Sequence, residues 1–368
     1  IGIAVPVLGL SLLGDGNVGQ GLHIITNTNT EKLNAIGSSS DPTPFATLFT
    51  GMIFANLFYW CTNQYVIQRT LAAKNLAEGQ KGVLFSGFFK VLVPFIMMVP
   101  GVIAFHLYGA VGSETGLASI DLAYPQLIRD VLPVYAMGFF LAVLLGAVFS
   151  SFNSLLNSAA TLFCLDVYVP YKERQGQQHV SDEKVLKMAK RASIVIALFS
   201  FVVAPMLQFA PDGLWQIIRV FTGFYNIPVI AIVIVGLFAP QVPALGPKLV
   251  ICFHILVYGL LKFVFDDVVT LHFIHLYAIL FFIEVAIMLV VGMRYPRAAV
   301  WTYSTSDKVD LQPWRFAGPC AVTFISCVIG LYLLFSPIGL VGGISTLFWF
   351  AISALTVANM AVWLLAYR

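Results

Sequence analysis

Ser150, Ser151, Ser154, Asn157 and Ser158 carry the pattern in this chain most suggestive of chemistry. They lie in the apolar run VYAMGFFLAVLLGAVFSSFNSLLNSAATLFCL (134–165) and recur at steps of three and four. On a helix that spacing makes one polar stripe, and Ala147 falls on the same face. Hydroxyl and carbonyl oxygens so placed suit a hard monovalent cation, which takes neutral oxygen ligands. Small and hydroxylated residues also let membrane helices approach closely. The stripe by itself fits either use.

A second cluster closes the run 44–67, where Asn56, Tyr59, Trp60, Asn63 and Gln64 combine aromatic faces with amides. Such groups can stack on and hydrogen-bond a polar, sugar-sized ligand, and they also fit an aromatic belt at a membrane surface. TGFYNIP (222–228) places Gly223 and Pro228 in one apolar run, where they can bend a helix and free backbone groups. Four charges, Lys90, Arg219, Lys262 and Glu284, sit inside apolar runs, which makes each a functional candidate. Near a helix end, Lys262 can snorkel to water, and Glu284 can pair with a neighbouring helix. GDGNVGQG (14–21) contains a G-x-G-x-x-G string, but a dinucleotide site needs it between a strand and a helix, so a flexible loop is expected there. His272 and His275 lie near Asp266 and Asp267 without a further ligand, and the start of an interfacial helix is expected. No catalytic signature is present, and the five cysteines fall in or beside apolar runs without metal-binding spacing.

The elements that must position these residues are membrane helices. Hydrophobic residues make up 59% of the 368, and charged residues only 10%. Mean hydropathy is +0.90. A water-soluble chain carries roughly 25% charged residues, so the bilayer is the natural solvent. Runs long enough to span occur near 44–67, 81–107, 134–165, 187–209, 213–238, 247–265, 271–293, 317–335 and 341–366. Ile1 to Leu13 reads as the end of a truncated helix, giving about ten segments. The linkers 68–81, 166–191, 239–248 and 294–315, the last with Lys308, hold most of the 20 Lys and Arg, and Arg368 ends the chain. The alternate linkers hold only Lys32 and Arg129, against acids that include Glu114 and Asp212. Basic loops stay inside, so the C-terminus is expected in the cytoplasm.

ANLFYWCTNQYVIQRTLAAKNLAEGQKG (55–82) and FFKVLVPFIMMVPG (88–101) strongly resemble the sodium/solute symporter family, in particular its bacterial sodium/galactose branch. FSSFNSLLNSAATLFCLDVY (149–168) and FTGFYNIPVIAIVIVGLF (221–238) follow in the family's order, and the likeness runs to about residue 335. It implies an all-α integral membrane protein of the leucine-transporter type, built on two inverted five-helix repeats around a central site. Residues 1–13 would end core helix five, 44–238 would hold core helices six to ten, and 247–366 would be accessory helices. By the same likeness Ala147, Ser150 and Ser151 match sodium-site positions. Asn56 and Lys90 match sugar contacts, Tyr59 matches the inner gate, and Trp60 adjoins it. Arg219 stands where the sugar branch has a sugar-binding Gln, a departure that admits an anionic or heavily hydroxylated substrate.

The expectation is therefore a sodium-coupled symporter of the plasma (inner) membrane, importing a small polar solute, with a sugar or sugar derivative favoured. A carrier of a sugar acid or monocarboxylate using Arg219 is the alternative, and a channel or membrane-embedded enzyme is more remote. Expected partners are the solute, Na⁺ and the lipid bilayer; nucleic acid is not among them.

Overall fold

The computed structural model describes residues 2–113, 116–177, 180–209, 214–298 and 309–367, with no strand among them. Glu114, Asp212, Lys308 and Arg368, which entered the charge pattern above, lie outside the described residues. In hydrocarbon every backbone N–H and C=O must bond within its own segment, which selects helices. In chain order these are α1 (Ala4–Leu13), α2 (Val18–Asn27), α3 (Gly51–Leu57), α4 (Gln64–Leu71), α5 (Leu76–Tyr108) and α6 (Ala123–Val131). There follow α7 (Val134–Arg174), α8 (Asp182–Met206), α9 (Leu214–Phe238), α10 (Leu245–Val264), α11 (Phe273–Arg294), α12 (Ala317–Leu334) and α13 (Thr346–Tyr367).

Among the described residues eight helices, α5 and α7 to α13, are long and apolar enough to cross a membrane. The run 44–67 does not form a ninth continuous span. It is broken at Thr50 (φ −122°, ψ −114°) and again at Asn63, whose ψ of 113° is extended. Between the breaks lie α3 and a wide π turn, Phe58–Thr62, closed by the Asn63 N–H on the Phe58 carbonyl at 3.0 Å. Gly51 explains the first break. A Cβ there would lie 1.8 Å from the Ile274 carbonyl oxygen, so only glycine lets the start of α3 rest on α11.

GDGNVGQG is not a flexible loop. Asp15 and Gly16 turn the chain through positive φ, and Asn17 Oδ1 accepts from Gly19 N at 2.9 Å to cap α2. The glycines serve close packing, since a Cβ on Gly21 would meet the Leu10 oxygen of α1 at 1.9 Å.

The main core joins α9, α10 and α11 to the α3 segment through Phe58, Ile227, Ala231, Tyr258, Leu280 and Met288. A smaller one joins α1, α5 and α6 through Val5, Ile103, Leu127 and Ile128. Pro228 lies inside α9, which nevertheless stays helical from Leu214 to Phe238. Lys262 reaches Asp266 at 2.6 Å at the end of α10, and Glu284 pairs with His254. His272 caps α11, its Nδ1 accepting from Ile274 N at 3.4 Å.

Candidate functional site

The break at Asn63 frees α4 from α3 and turns it towards α7. The serine stripe consequently divides. Its lower half is covered: Ser154 and Ser158 are buried, and Arg69 Nη2 of α4 donates to Ser154 Oγ at 2.6 Å. Ser154 Oγ in turn donates to the Ser150 carbonyl at 2.9 Å, and Asn157 Nδ2 reaches Gln68 Oε1 at 3.3 Å. Higher on the same face, Ala147, Ser150 and Ser151 stay exposed. Close packing thus accounts for the lower serines, while the upper hydroxyls remain open to a ligand.

Beside the π turn, Tyr59 and Trp60 meet edge to face with centroids 4.9 Å apart. Lys90 of α5 holds Nζ 5.0 Å from the Trp60 ring centre, a cation over an aromatic face. The Tyr59 hydroxyl is hydrogen-bonded to that of Tyr65 on α4. Asn56, one turn earlier and exposed, donates Nδ2 to its own helix at Met52 O, 2.9 Å away. These groups present an aromatic wall, an ammonium and an amide on adjoining elements, a combination that suits a hydroxylated ring.

Arg219 stands apart from that cluster. Its Nη1 donates to Thr43 Oγ1 at 2.6 Å and to Gln216 Oε1 at 3.4 Å, and its guanidinium lies 5.6 Å from the centre of the Phe273 ring. Nη2 is buried without a hydrogen-bond partner, and no carboxylate among the described residues pairs with it. Burial, with the charge of Arg219 and the nearby His275 adding to it, holds the His272 imidazole down at about 4, so it is neutral near pH 7. His275 Nδ1 meets Thr50 Oγ1 at 2.8 Å, which ties α11 to the first break. Tyr65, Gln68 and Arg69 were not picked out by sequence reasoning. Arg69 looked like one more cation in a basic linker, and only the break at Asn63 turns it onto the stripe.

The family described as "Sodium:solute symporter family" matches residues 8–247, well over half the chain. The chain belongs to the sodium:solute symporter family. It is 41% identical over 333 residues to the "Uncharacterized symporter YidK" of Escherichia coli (strain K12), covering 90% of this chain and 56% of that protein. It is 34% identical over 249 residues to the sodium/glucose cotransporter of Vibrio parahaemolyticus, covering 65% of this chain and 44% of that one. Sodium/myo-inositol cotransporter 2 of Homo sapiens is 31% identical over 209 residues, covering 53% of this chain and 30% of that protein. The chain spans about half the length, or less, of these relatives. Membership in the symporter family and eight apolar helices make it a multi-pass membrane protein.

Proposed function

We propose that this symporter-family chain supplies the cation stripe and the solute wall of a sodium-coupled symporter of the inner membrane, working by alternating access in a leucine-transporter-type fold. Residues 1–13 end core helix five in this reading, 44–238 form core helices six to ten, and 247–366 are accessory. Na⁺ sits against Ala147, Ser150 and Ser151. A sugar or sugar derivative stacks on Tyr59 and Trp60 and hydrogen-bonds Asn56 and Lys90. The observation that carries the reading is α4: one short helix touches the aromatic gate through Tyr65 and the serine stripe through Gln68 and Arg69. A shift of α4 on cation binding is felt at the solute wall, and by linkage the solute favours the cation equally. Each charge entering down the membrane potential contributes about 2.3 kcal/mol per 100 mV. Uptake of labelled hexoses by the full-length protein is the test. Na⁺ medium supports it, choline medium does not, and equal uptake in the two ends the reading.

The buried, unpartnered Nη2 of Arg219 favours a second reading, a sugar acid or monocarboxylate as cargo. Acidic sugars then outcompete neutral hexoses, and Arg219→Gln loses acidic-sugar uptake alone.

A further inference from the structure

His254 of α10 and Glu284 of α11 are both fully buried, and His254 Nδ1 lies 2.5 Å from Glu284 Oε1. The other ring nitrogen, Nε2, faces the Gly223 carbonyl of α9 at 3.1 Å. A carbonyl only accepts, so Nε2 carries a hydrogen. A neutral imidazole protonated at Nε2 presents a lone pair at Nδ1, and a carboxylate presents lone pairs as well. Two lone pairs do not meet at 2.5 Å, so a further proton lies between them. Turning the ring over would put carbon at both contacts and lose both bonds.

We infer that the buried His254–Glu284 pair is a proton-binding site, holding one proton beyond those of a neutral imidazole and a carboxylate and joining α9, α10 and α11 through it. Glu284 Oε2 is buried without a partner. A net negative charge there would be unsolvated in hydrocarbon, and the bound proton removes it. The surrounding titratable groups leave the pair alone. Tyr258 of α10 stacks on the His254 ring (centroids 5.4 Å apart, planes at 27°) but gives its hydroxyl to the Val220 carbonyl. Tyr277 of α11 gives its hydroxyl to the Arg219 carbonyl. On α9 the Arg219 guanidinium is turned to Thr43 and Phe273, and the Tyr225 ring packs on Phe58. Gly51–Leu57 of α3 carry no titratable side chain, and in the adjoining π turn the Tyr59 hydroxyl is bonded to Tyr65 while Cys61 is exposed. Neither member of the pair has a second ionised partner among the described residues. Gly223 lies one residue before Phe224, whose carbonyl loses its helical donor to Pro228. The protonated pair therefore supports α9 beside its weakest turn. This site is separate from the serine stripe and the aromatic wall, and its ligand is neither Na⁺ nor the solute.

The test is thermal unfolding of the full-length protein in detergent between about pH 7 and about pH 9. Towards the upper end of that range an unfolded carboxylate and neutral imidazole hold no such extra proton, whereas the proposed folded pair holds one. Stability contributed by the proton is complete below the unfolded histidine value of about 6.5 and is lost as pH rises above it. The folding equilibrium of the wild type falls about tenfold per pH unit relative to Glu284→Gln, whose amide N–H serves Nδ1 without a titratable proton. Parallel pH profiles for the two overturn the proposal. Should the Gln variant fail to fold, wild-type calorimetry at about pH 8 in two buffers of different ionisation heat decides the matter. Release of about one proton on unfolding supports the site, and release of none overturns it.

Discussion

Ser151 and Ser154 lie on one face of α7 with different neighbours, and their variants should behave differently. Ser154 already accepts from Arg69, whereas Ser151 is exposed. Ser151→Ala removes a proposed cation ligand and is expected to lower apparent Na⁺ affinity about tenfold, the scale of one hydrogen bond or ligand to a charge. Ser154→Ala leaves an Arg69 donor unmatched and lowers thermal stability with little change in Na⁺ dependence. Uptake against Na⁺ concentration, beside melting of each variant, separates the two, and reversed phenotypes would remove the site assignment. His272 gives a pH dependence of the opposite sign to the buried pair. Folded His272 stays neutral down to about 4, while an unfolded histidine binds its proton near 6.5. The unfolded state thus takes up a proton first, and stability falls as pH drops from about 6.5 towards 4, by at most about 3 kcal/mol. His272→Asn keeps a good helix cap and should soften this acid loss in melting curves recorded near pH 7 and pH 5.

Elements were legible in the sequence in proportion to how far the solvent alone decides them. Long apolar runs such as 271–293 become single helices because hydrocarbon leaves the backbone no other choice. The run 44–67 is equally apolar in outline, but its breaks come from outside it. Gly51 must admit the Ile274 carbonyl of α11, over two hundred residues away in sequence, and no local pattern carries that contact. His254 and Glu284, on different helices, were likewise hidden from each other although their separation is only 30 residues, and Glu284 alone was conspicuous. Glycines misled in the opposite direction at 14–21, where spacing resembled a loop and the Asn17 cap with the close approach of α1 made a helix. Aromatic, amide and hydroxyl types pointed to Tyr59, Trp60 and Ser150, while α4's part in joining them needed the turn at Asn63. Gly51→Ala tests that account at the scale of the element. Its methyl group would strike backbone rather than a flexible side chain, so α3 must leave α11 at about 3 kcal/mol, the upper end for overpacking. Melting of Gly51→Ala within about 0.5 kcal/mol of wild type would show that the break has another cause.

For the whole molecule, exposed area and charge together set its place in the bilayer. The described surface amounts to 23446 Å², against roughly 14,500 Å² for a compact globular chain of this mass. Apolar helix flank, such as Phe199, Phe201 and Val202 on α8 and Phe350, Leu364 and Leu365 on α13, contributes to the excess, and it suits lipid or further helices. At 41 residues α7 is roughly 60 Å long, about twice the hydrocarbon thickness. Its charged far end, with Lys172 and Arg174, is therefore the end expected to stand clear of the membrane. The adjoining start of α8 carries Lys184, Lys187, Lys190 and Arg191, so one projecting corner concentrates cations that resist translocation. That corner and the C-terminus are separated by α8 to α13, six spanning helices. An even number of crossings returns the chain to the same side, and the cationic corner predicts that side to be the cytoplasm. A green fluorescent protein fused after Tyr367 should fluoresce and alkaline phosphatase at the same point should be inactive. Replacing Lys184, Lys187 and Lys190 with Gln weakens the bias and raises the phosphatase signal. An active phosphatase on the unaltered chain would place the cationic corner outside and invert the orientation, together with the direction from which the proposed ion would reach Ser150 and Ser151.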